Sequence, residues 1–360
     1  MARNSIGKQL VLTSFGESHG KGIGAVLDGF PARFAIDFGR VQQQLNRRRP
    51  GQSHLTTQRL ESDECQFLSG IFDGQSTGAP IALLIENQDQ RSRDYDALAQ
   101  VYRPGHADRV YDAKYGIRDH RGGGRSSARI TAAWVAAGSL AQQYLESKHI
   151  VVRAWVHQIE EQYAPEYTAL PSIADIDQSA VRCPDPATAM GMQEAIERAH
   201  KAGDSVGGSI RFQIEGMQAG IGEPLFGKIQ AQLAHYLLNI PATTGIEFGA
   251  GFAAARMRGS EHNDAWIHMD GQGIKAASNR AGGSLGGIST GEPLYGLLAF
   301  KPVSSIHKTQ QTVSREGESV ELNIEGRHDP CVLPRAVPIV EAMTALCIMD
   351  LYLENALSQS

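Results

Sequence analysis

The chain contains two series of segments that match each other in type and in order. In each series an apolar strand-like segment comes first and an amphipathic helix-like segment second; a Gly-Pro turn with another strand follows, then a long apolar helix. The first series occupies residues 22–30, 37–48, 76–85 and 128–148, and the second occupies residues 206–217, 223–240, 289–300 and 335–357. This pattern predicts an internal duplication, which constrains the fold more than any other feature.

Local signals support the helices of both series. Asp37 is placed to cap the first helix, and Pro50 and Pro241 lie just beyond the amphipathic segments. The apolar residues of the first helix share one face: Phe38, Val41 and Leu45. The fourth segments are apolar over most of their circumference, which is typical of helices buried between other layers. We therefore predict an α+β fold with mostly antiparallel sheet, whose two halves pack face to face as one domain over residues 1–360.

The section between the two series is polar and contains several prolines. Residues 157–190 therefore predict a surface insertion, which continues into a helix at 187–202. Pro186 stands at the start of that helix and Gly203 at its end.

Composition excludes some classes of protein. The 360 residues carry a formal net charge of −5, which disfavours a dedicated nucleic-acid binder. The four cysteines are scattered without a CxxC pair, so neither a zinc site nor a disulfide framework is predicted. The first residues have no apolar leader segment, and no apolar run approaches the length of a membrane span. We predict a cytoplasmic protein without membrane or nucleic-acid partners and without a metal.

Residues 103–131 form the most basic segment, with seven Arg or Lys against three Asp, two histidines and a triple glycine. Within it, GGGRSSARIT leads a Gly-rich loop into a helix, where free N–H groups with Arg125 and Arg129 predict an anion site. No GK[ST] follows and no parallel βαβ spacing surrounds it, so a standard nucleotide loop is not predicted. In residues 46–59, helical spacing points three consecutive arginines in different directions, so one or two of them can fork onto an oxyanion.

Two histidines lie in settings that favour function. His19 in FGESHGKGIG has small neighbours that let a ligand approach closely. His106 lies among arginines, where a bound anion would favour its protonated form and make it a usable acid. Near the C-terminus, Lys301 in FKPVSSI suits a phosphate or carbonyl oxygen, and Asp329 in EGRHDPC could orient a proton carrier. Together these motifs predict an enzyme that handles anions.

Three other interpretations stay open at this point. The basic segment could be a solvated charged loop, or an arm that binds single-stranded RNA, although few aromatic residues interleave with its arginines. A phosphotransferase acting on a phosphorylated sugar or acid is the main alternative enzyme. It would need a nucleotide loop or a metal-carboxylate cluster, and the sequence suggests neither.

Longer motifs resemble one known family. GESHGKGIGAVLDGFP, RSSARITAAWVAAGSL and RHDPCVLPRAVPIVEA resemble the three signatures of the chorismate synthase family. RRRPGQS, NQDQRSRDYD, RPGHAD, GGISTGEP and KPVSSI match further stretches in the same order. The resemblance implies a β-α-β sandwich assembled as a homotetramer. It also implies a lyase that eliminates phosphate from 5-enolpyruvylshikimate-3-phosphate, in a 1,4-elimination, to give chorismate with reduced FMN as cofactor.

The resemblance also implies roles for single positions. The catalytic positions are His19 near the departing phosphate, His106, which protonates the reduced flavin, and Asp329, which helps to deprotonate flavin N5. The flavin contacts are Arg125, Ser126, Ser127, Pro241, Ala242, Gly286, Lys301, Pro302, Val303, Ser304, Ser305 and Arg327. The substrate-binding positions are Arg48, His54, Arg103 and Arg129.

The chain departs from the family pattern at one position. Where the family commonly has an arginine that contacts a phosphate, sometimes described as that of NADP, this chain has His54. A histidine reaches less far and is only partly charged near neutral pH, so it would contact a phosphate more weakly than an arginine. Because no dinucleotide fingerprint is present, we expect an external source of reduced flavin.

Overall fold

The first half of the chain alternates strands and helices as the repeat predicts. The protein is described by a computed structural model that covers residues 4–52, 55, 61–88, 98–167, 169–271, 273–324 and 329–358. The elements of the first half are β1 (Ser5–Ile6), β2 (Val11–Gly16), β3 (Gly22–Asp28), α1 (Phe38–Arg48), β4 (Cys65–Phe67), β5 (Ile71–Phe72), β6 (Gln75–Ser76), β7 (Ile81–Glu86), α2 (Asp108–Tyr115) and α3 (Thr131–Glu146). Two single-turn 3-10 helices, Gly124–Ser126 and Ala128–Ile130, lead into α3.

The second half repeats the series with additions. Its elements are β8 (Val151–Ile159), β9 (Gln162–Tyr163), α4 (Ile173–Asp177), α5 (Pro186–Lys201), β10 (Gly208–Glu215), α6 (Ile229–Leu237), β11 (Thr243–Phe248), α7 (Gly259–His262), β12 (Trp266–Met269), β13 (Gly273–Ala276), β14 (Ser284–Leu285), β15 (Ile288–Ser289), β16 (Leu294–Phe300), β17 (Gln310–Val313), β18 (Ser319–Leu322) and α8 (Leu333–Ser358). A 3-10 helix covers Gly251–Arg256.

The sheet topology confirms the internal duplication. Within the described residues, two five-stranded antiparallel sheets have the orders β1-β2-β3-β7-β4 and β9-β8-β10-β16-β11. Strands β2, β3, β7 and β4 thus take the same relative places as β8, β10, β16 and β11. In the first sheet the amphipathic helix α1 follows β3, and the long helix α3 comes after β7. In the second sheet the amphipathic helix α6 follows β10, and the long helix α8 comes after β16. The predicted α+β class with mostly antiparallel sheet is confirmed.

The long helices pack together between the two sheets. Helix α3 contacts β3 and β7, while α8 contacts β8 and β10. Their backbones meet at Gly138, where an added Cβ would lie only 2.6 Å from the Cα of Ala342. Most residues of both helices are buried, as their apolar circumference predicts. The expectation that no apolar run approaches the length of a membrane span was wrong for α8, which is long and apolar enough to cross one, and 89% of its most apolar window is buried within the protein.

Most predicted element ends agree with the structure, and some do not. Asp37 caps α1 through a hydrogen bond from Arg40 N, and Val41 and Leu45 are buried. Phe38 was expected on the same face but is 41% exposed. Helix α6 is shorter than predicted, because Glu223 N donates to Gly227 O in a turn that precedes it.

The prediction of a surface insertion at 157–190 is wrong in part. Strand β8 continues to Ile159, and the helix α4 inside this section was not predicted. Ile176, Val181 and Cys183 are buried in the main core. These apolar residues are too few and too widely spaced among polar ones to give a periodic signal. The following helix, α5, begins at Pro186 as predicted.

Candidate active site

Four helix ends meet on one side of the helical layer. The C-terminal ends of α1 and α6 and the N-terminal ends of α3 and α8 surround a cleft of about 250 Å³ and a smaller adjoining cavity of about 80 Å³. Both are lined by Arg48, Ala128, Asp329, Val332 and Arg335. Pro50 lines the cleft and Pro241 the cavity, so the residues that end the two matching helices take corresponding places. The site therefore draws on both halves of the duplicated fold.

One buried carboxylate joins two of the predicted substrate-binding arginines. Arg48 Nη1 donates to Asp63 Oδ2 over 2.7 Å, and Arg129 Nη1 donates to Asp63 Oδ1. Arg48 also donates from Nε to Thr131 Oγ1 over 3.2 Å. Burial lowers the pKa of Arg48 to about 9, although Asp63 opposes this shift. Burial alone would raise the pKa of Asp63, but the two guanidinium groups hold it below its ordinary value.

A second buried carboxylate, that of Asp108, contacts Arg103, a predicted substrate-binding residue, and His106, a predicted catalytic residue. Arg103 donates to it from Nε over 2.8 Å and from Nη2 over 2.7 Å. His106 Nδ1 lies 2.8 Å from Asp108 Oδ1. Arg103 and His106 both line the cleft, so the structure brings a predicted proton carrier beside a predicted anion-binding group.

Asp329 lies four residues before Leu333, the first residue of α8, and forms an ion pair with Arg335 Nη1. Arg335 Nε also donates to the carbonyl oxygen of Arg48 over 3.2 Å, which ties α8 to the end of α1. Sequence reasoning missed Arg335, together with the acids Asp63, Asp108 and Glu61. Arg335 could have been found, because it is a charged residue in the first turn of the last apolar helix.

The predicted flavin contacts fall into several places. Ser126, Ser127, Val303, Ser304 and Ser305 line the cleft. Pro241 and Ala242 line the adjoining cavity. Lys301 donates from Nζ to Gly105 O over 2.9 Å and from its backbone N to Ala242 O over 3.0 Å, so it joins the His106 loop to the cavity wall. Pro302, next to it, packs near Gly207.

His19 contacts a residue of the cleft lining without being part of that lining. It packs against Gly122, where an added Cβ would come within 2.6 Å of His19 Cε1. Its Nδ1 lies 3.1 Å from Ser18 Oγ. Since Gly122 lines the cleft, His19 is in contact with a residue of the cleft wall.

Two predicted positions are not brought to the cleft, and two cannot be placed. The Arg125 side chain donates to the carbonyl oxygens of Ser14 and Gly16 and lines a different cavity of about 380 Å³. Gly286 lies at a separate open groove beside β11. His54 and Arg327 lie outside the described residues.

The charges of the cleft suit an anion with several negative groups. Among the described residues of its lining, four arginines stand beside two acids: Arg48, Arg103, Arg129 and Arg335, with Glu61 and Asp329. Guanidinium groups bind phosphate and carboxylate in fork geometry. His106 and Asp329 add groups that can carry a proton. No three His, Cys, Asp or Glu side chains cluster as a metal site in the part of the chain that the structure describes.

Comparisons with known proteins agree with this geometry. The family profile described as chorismate synthase matches residues 10–353. A chorismate synthase of Porphyromonas gingivalis is 52% identical over 353 residues, covering 98% of this chain and 96% of that protein, and one of Christiangramia forsetii is 49% identical over 360 residues, covering 100% of both. A solved structure described as a crystal structure of chorismate synthase matches with a TM-score of 0.76 at 28% identity, covering 97% of this chain and 93% of that one. The chain therefore belongs to the chorismate synthase family.

Proposed function

We propose that the protein is a carbon–oxygen lyase that eliminates phosphate from 5-enolpyruvylshikimate-3-phosphate to give chorismate, and that the reaction takes place in the 250 Å³ cleft. The observation that carries the proposal is the meeting of four arginines with His106 and Asp329 in that cleft. The substrate has one phosphate and two carboxylates, which matches a lining rich in guanidinium groups. Membership of the family supports the same reaction.

Arg48, Arg103 and Arg129 would bind the anionic groups of the substrate. Each is already oriented by a buried carboxylate or a backbone carbonyl, so little side-chain entropy is lost when the ligand binds. Charge-assisted hydrogen bonds from such fixed donors are the strong ones. The contact of His54 with a phosphate stays a prediction.

The residues around the cleft fit the reduced FMN that the family implies. Ser126, Ser127 and the 303–305 segment offer hydroxyl and backbone groups to the polar parts of a flavin. The adjoining cavity offers an apolar surface from Ile240, Pro241 and Ile339 to its ring. When bound, reduced FMN supplies electron density that assists cleavage of the bond between carbon and the phosphate oxygen.

The chain's own groups would handle the protons of the reaction. An elimination releases phosphate from one carbon and a proton from another. His106, which lines the cleft, would hold a proton for the bound reduced cofactor, and Asp329 would help to accept the proton that leaves. His19, which packs against the cleft residue Gly122, would stabilise the departing phosphate.

We also propose that the protein is cytoplasmic, folds as one domain and assembles as a homotetramer. The packing of α3 against α8, one helix from each half, supports a single domain. Exposed apolar side chains on the β12–β13 hairpin, among them Trp266 and Ile274, offer a surface to further copies of the chain.

The test is to mix the purified protein with the substrate and FMN under anaerobic conditions, with and without dithionite to reduce the flavin. We expect equal amounts of phosphate and chorismate in the reduced sample, and neither in the oxidised one. Phosphate transferred to an acceptor would indicate a phosphotransferase instead. If the reduced sample released no phosphate, the proposed function would be wrong.

A further inference from the structure

Asp108 begins helix α2 and is only 2% exposed, yet it contacts three basic side chains. Its Oδ2 accepts from the backbone N of Arg103 over 3.1 Å and from Arg103 Nε over 2.8 Å. Its Oδ1 accepts from Arg103 Nη2 over 2.7 Å and lies 2.8 Å from His106 Nδ1. Arg118 Nη1 lies 3.0 Å from the same oxygen. One buried carboxylate therefore fixes a predicted anion-binding arginine and a predicted proton carrier at the same time.

The protonation state of this carboxylate decides which nitrogen of His106 takes part in chemistry. Burial alone would raise the pKa of Asp108, but hydrogen bonds from Arg103 and His106 hold it well below its ordinary range. An ionised carboxylate can only accept hydrogen bonds. His106 Nδ1 must therefore carry a hydrogen, both in the neutral ring and in the imidazolium. The proton that the ring gains and loses is then the one on Nε2.

We propose that Asp108 is a positioning residue that keeps His106 in the tautomer with hydrogen on Nδ1, stabilises its protonated form, and aligns Arg103 in the same cleft. The proposal deepens the proposed function, on which its kinetic part rests. A buried carboxylate that orients a histidine without itself becoming protonated is a known arrangement in proton-transfer catalysis.

Several other charged side chains also surround His106. Its own segment contributes Arg103, Asp108 and Arg118. Lys301 reaches the neighbouring Gly105 from the end of β16, and the cleft adds Glu61, Arg129, Asp329 and Arg335. Among these described groups, Asp108 is the negative charge in direct contact with the ring, with 2.8 Å between its Oδ1 and His106 Nδ1.

Chemical modification of His106 tests the proposal without any substrate. Diethyl pyrocarbonate reacts with neutral imidazole, and a tryptic peptide over residues 94–109 contains His106 as its single histidine. The rate of modification is measured by mass spectrometry from about pH 5 to 8, the range in which histidine changes charge. In Asp108→Asn, we expect the pH of half-maximal rate to fall below that of the wild type, because a negative charge is lost beside two guanidinium groups.

Asp112 offers a matched control on the same helix. It lies one turn further along, 4.0 Å from Arg118 and 3.5 Å from Arg315, and among the described residues it forms no ion pair with Arg103 or His106. Asp112→Asn makes the same chemical change and should leave the half-maximal pH where the wild type has it. If Asp108→Asn does not fold, Asp108→Asn with Arg118→Gln removes one charge of each sign, and it is compared with Arg118→Gln alone.

The kinetic part is a double-mutant cycle. We expect Asp108→Asn to lower kcat about 10- to 100-fold in the wild-type background and much less in His106→Ala, because the two residues act as a unit. The same loss in both backgrounds would overturn the positioning role. The positioning role would also be overturned if the half-maximal pH were the same in Asp108→Asn and the wild type, or in the double variant and Arg118→Gln. This holds even if the wild type forms chorismate. A shifted half-maximal pH in a protein that forms no chorismate would instead count against the proposed function alone.

Discussion

Arg48 and Asp63 form an ion pair in which neither side chain is more than 1% exposed, with 2.7 Å between Nη1 and Oδ2. Asp63 lies in the segment before β4, while Arg48 ends α1, so the pair joins two parts of the first half. Asp63 also accepts from Arg129, at the entry to α3. Charges buried in this way are expensive to leave unpaired, because burial removes their hydration. The pair therefore couples the stability of the fold to the geometry of the cleft.

Asp63→Asn should destabilise the protein by about 3 to 5 kcal/mol, because Arg48 loses its buried counter-charge and, among the described acids, Arg129 keeps only Glu61, 3.7 Å away. The measurement is the free energy of unfolding in urea at a fixed protein concentration. Asp119→Asn is the control: its partner Arg121 is 49% exposed, and such pairs contribute about 1 kcal/mol or less. Equal losses in the two variants would show that Asp63 is not a buried counter-ion.

The same carboxylate predicts a pH dependence. The folded-state pKa of Asp63 is depressed by Arg48 and Arg129, so its contribution is present above the unfolded-state value of about 3.9. That contribution is lost as the pH falls through the folded-state pKa. The wild type should therefore lose stability on acidification more steeply than Asp63→Asn, and the two unfolding free energies should converge. Parallel pH curves would contradict this assignment.

Gly138→Ala should destabilise the protein by about 1 to 3 kcal/mol, because the added methyl group would overlap the backbone of Ala342 in the facing helix. Gly191→Ala in α5 is the control, since its methyl group would meet only the end of the flexible Gln162 side chain. There the better helix propensity of alanine should offset most of the clash. Thermal unfolding midpoints compare the two, and a stable Gly138→Ala protein would mean that α3 and α8 can separate without cost.

The order of elements and several site positions could be predicted from the sequence because they depend on local patterns. Periodicity and capping placed α1, α3 and α8, and clustered arginines marked Arg103 and Arg129. Asp63 could not be predicted, since it is 15 residues from Arg48 and 66 from Arg129 and only the fold brings them together. Side-chain direction was also beyond the sequence: the Gly-rich loop did not reveal that the Arg125 guanidinium donates to carbonyl oxygens of β2, while its contact with a flavin stays a prediction.

His106→Ala and Asp329→Asn should each reduce turnover by about two to four orders of magnitude, the usual contribution of a positioned proton-transfer group. Substrate affinity should change much less, because Arg48 and Arg129 keep their partners in both variants. Turnover is measured anaerobically with fully reduced FMN, and affinity by equilibrium titration. Near-normal turnover in either variant would remove that residue from the mechanism.

FMN should bind more tightly when 5-enolpyruvylshikimate-3-phosphate is present. Substrate-binding arginines and predicted flavin contacts line the same cleft, with Arg129 two residues from Ser127 and Arg103 near the segment 303–305. In the free protein these arginines pair with buried or half-buried acids, and a bound substrate anion would add contacts that hold the same arginines, and with them the neighbouring flavin contacts, in place. The measurement is an FMN titration without ligand, with inorganic phosphate, and with the substrate. Phosphate should tighten binding less than the substrate, since it has one anionic group and can contact fewer of the arginines. Equal FMN affinity in all three titrations would show that the two ligands bind independently.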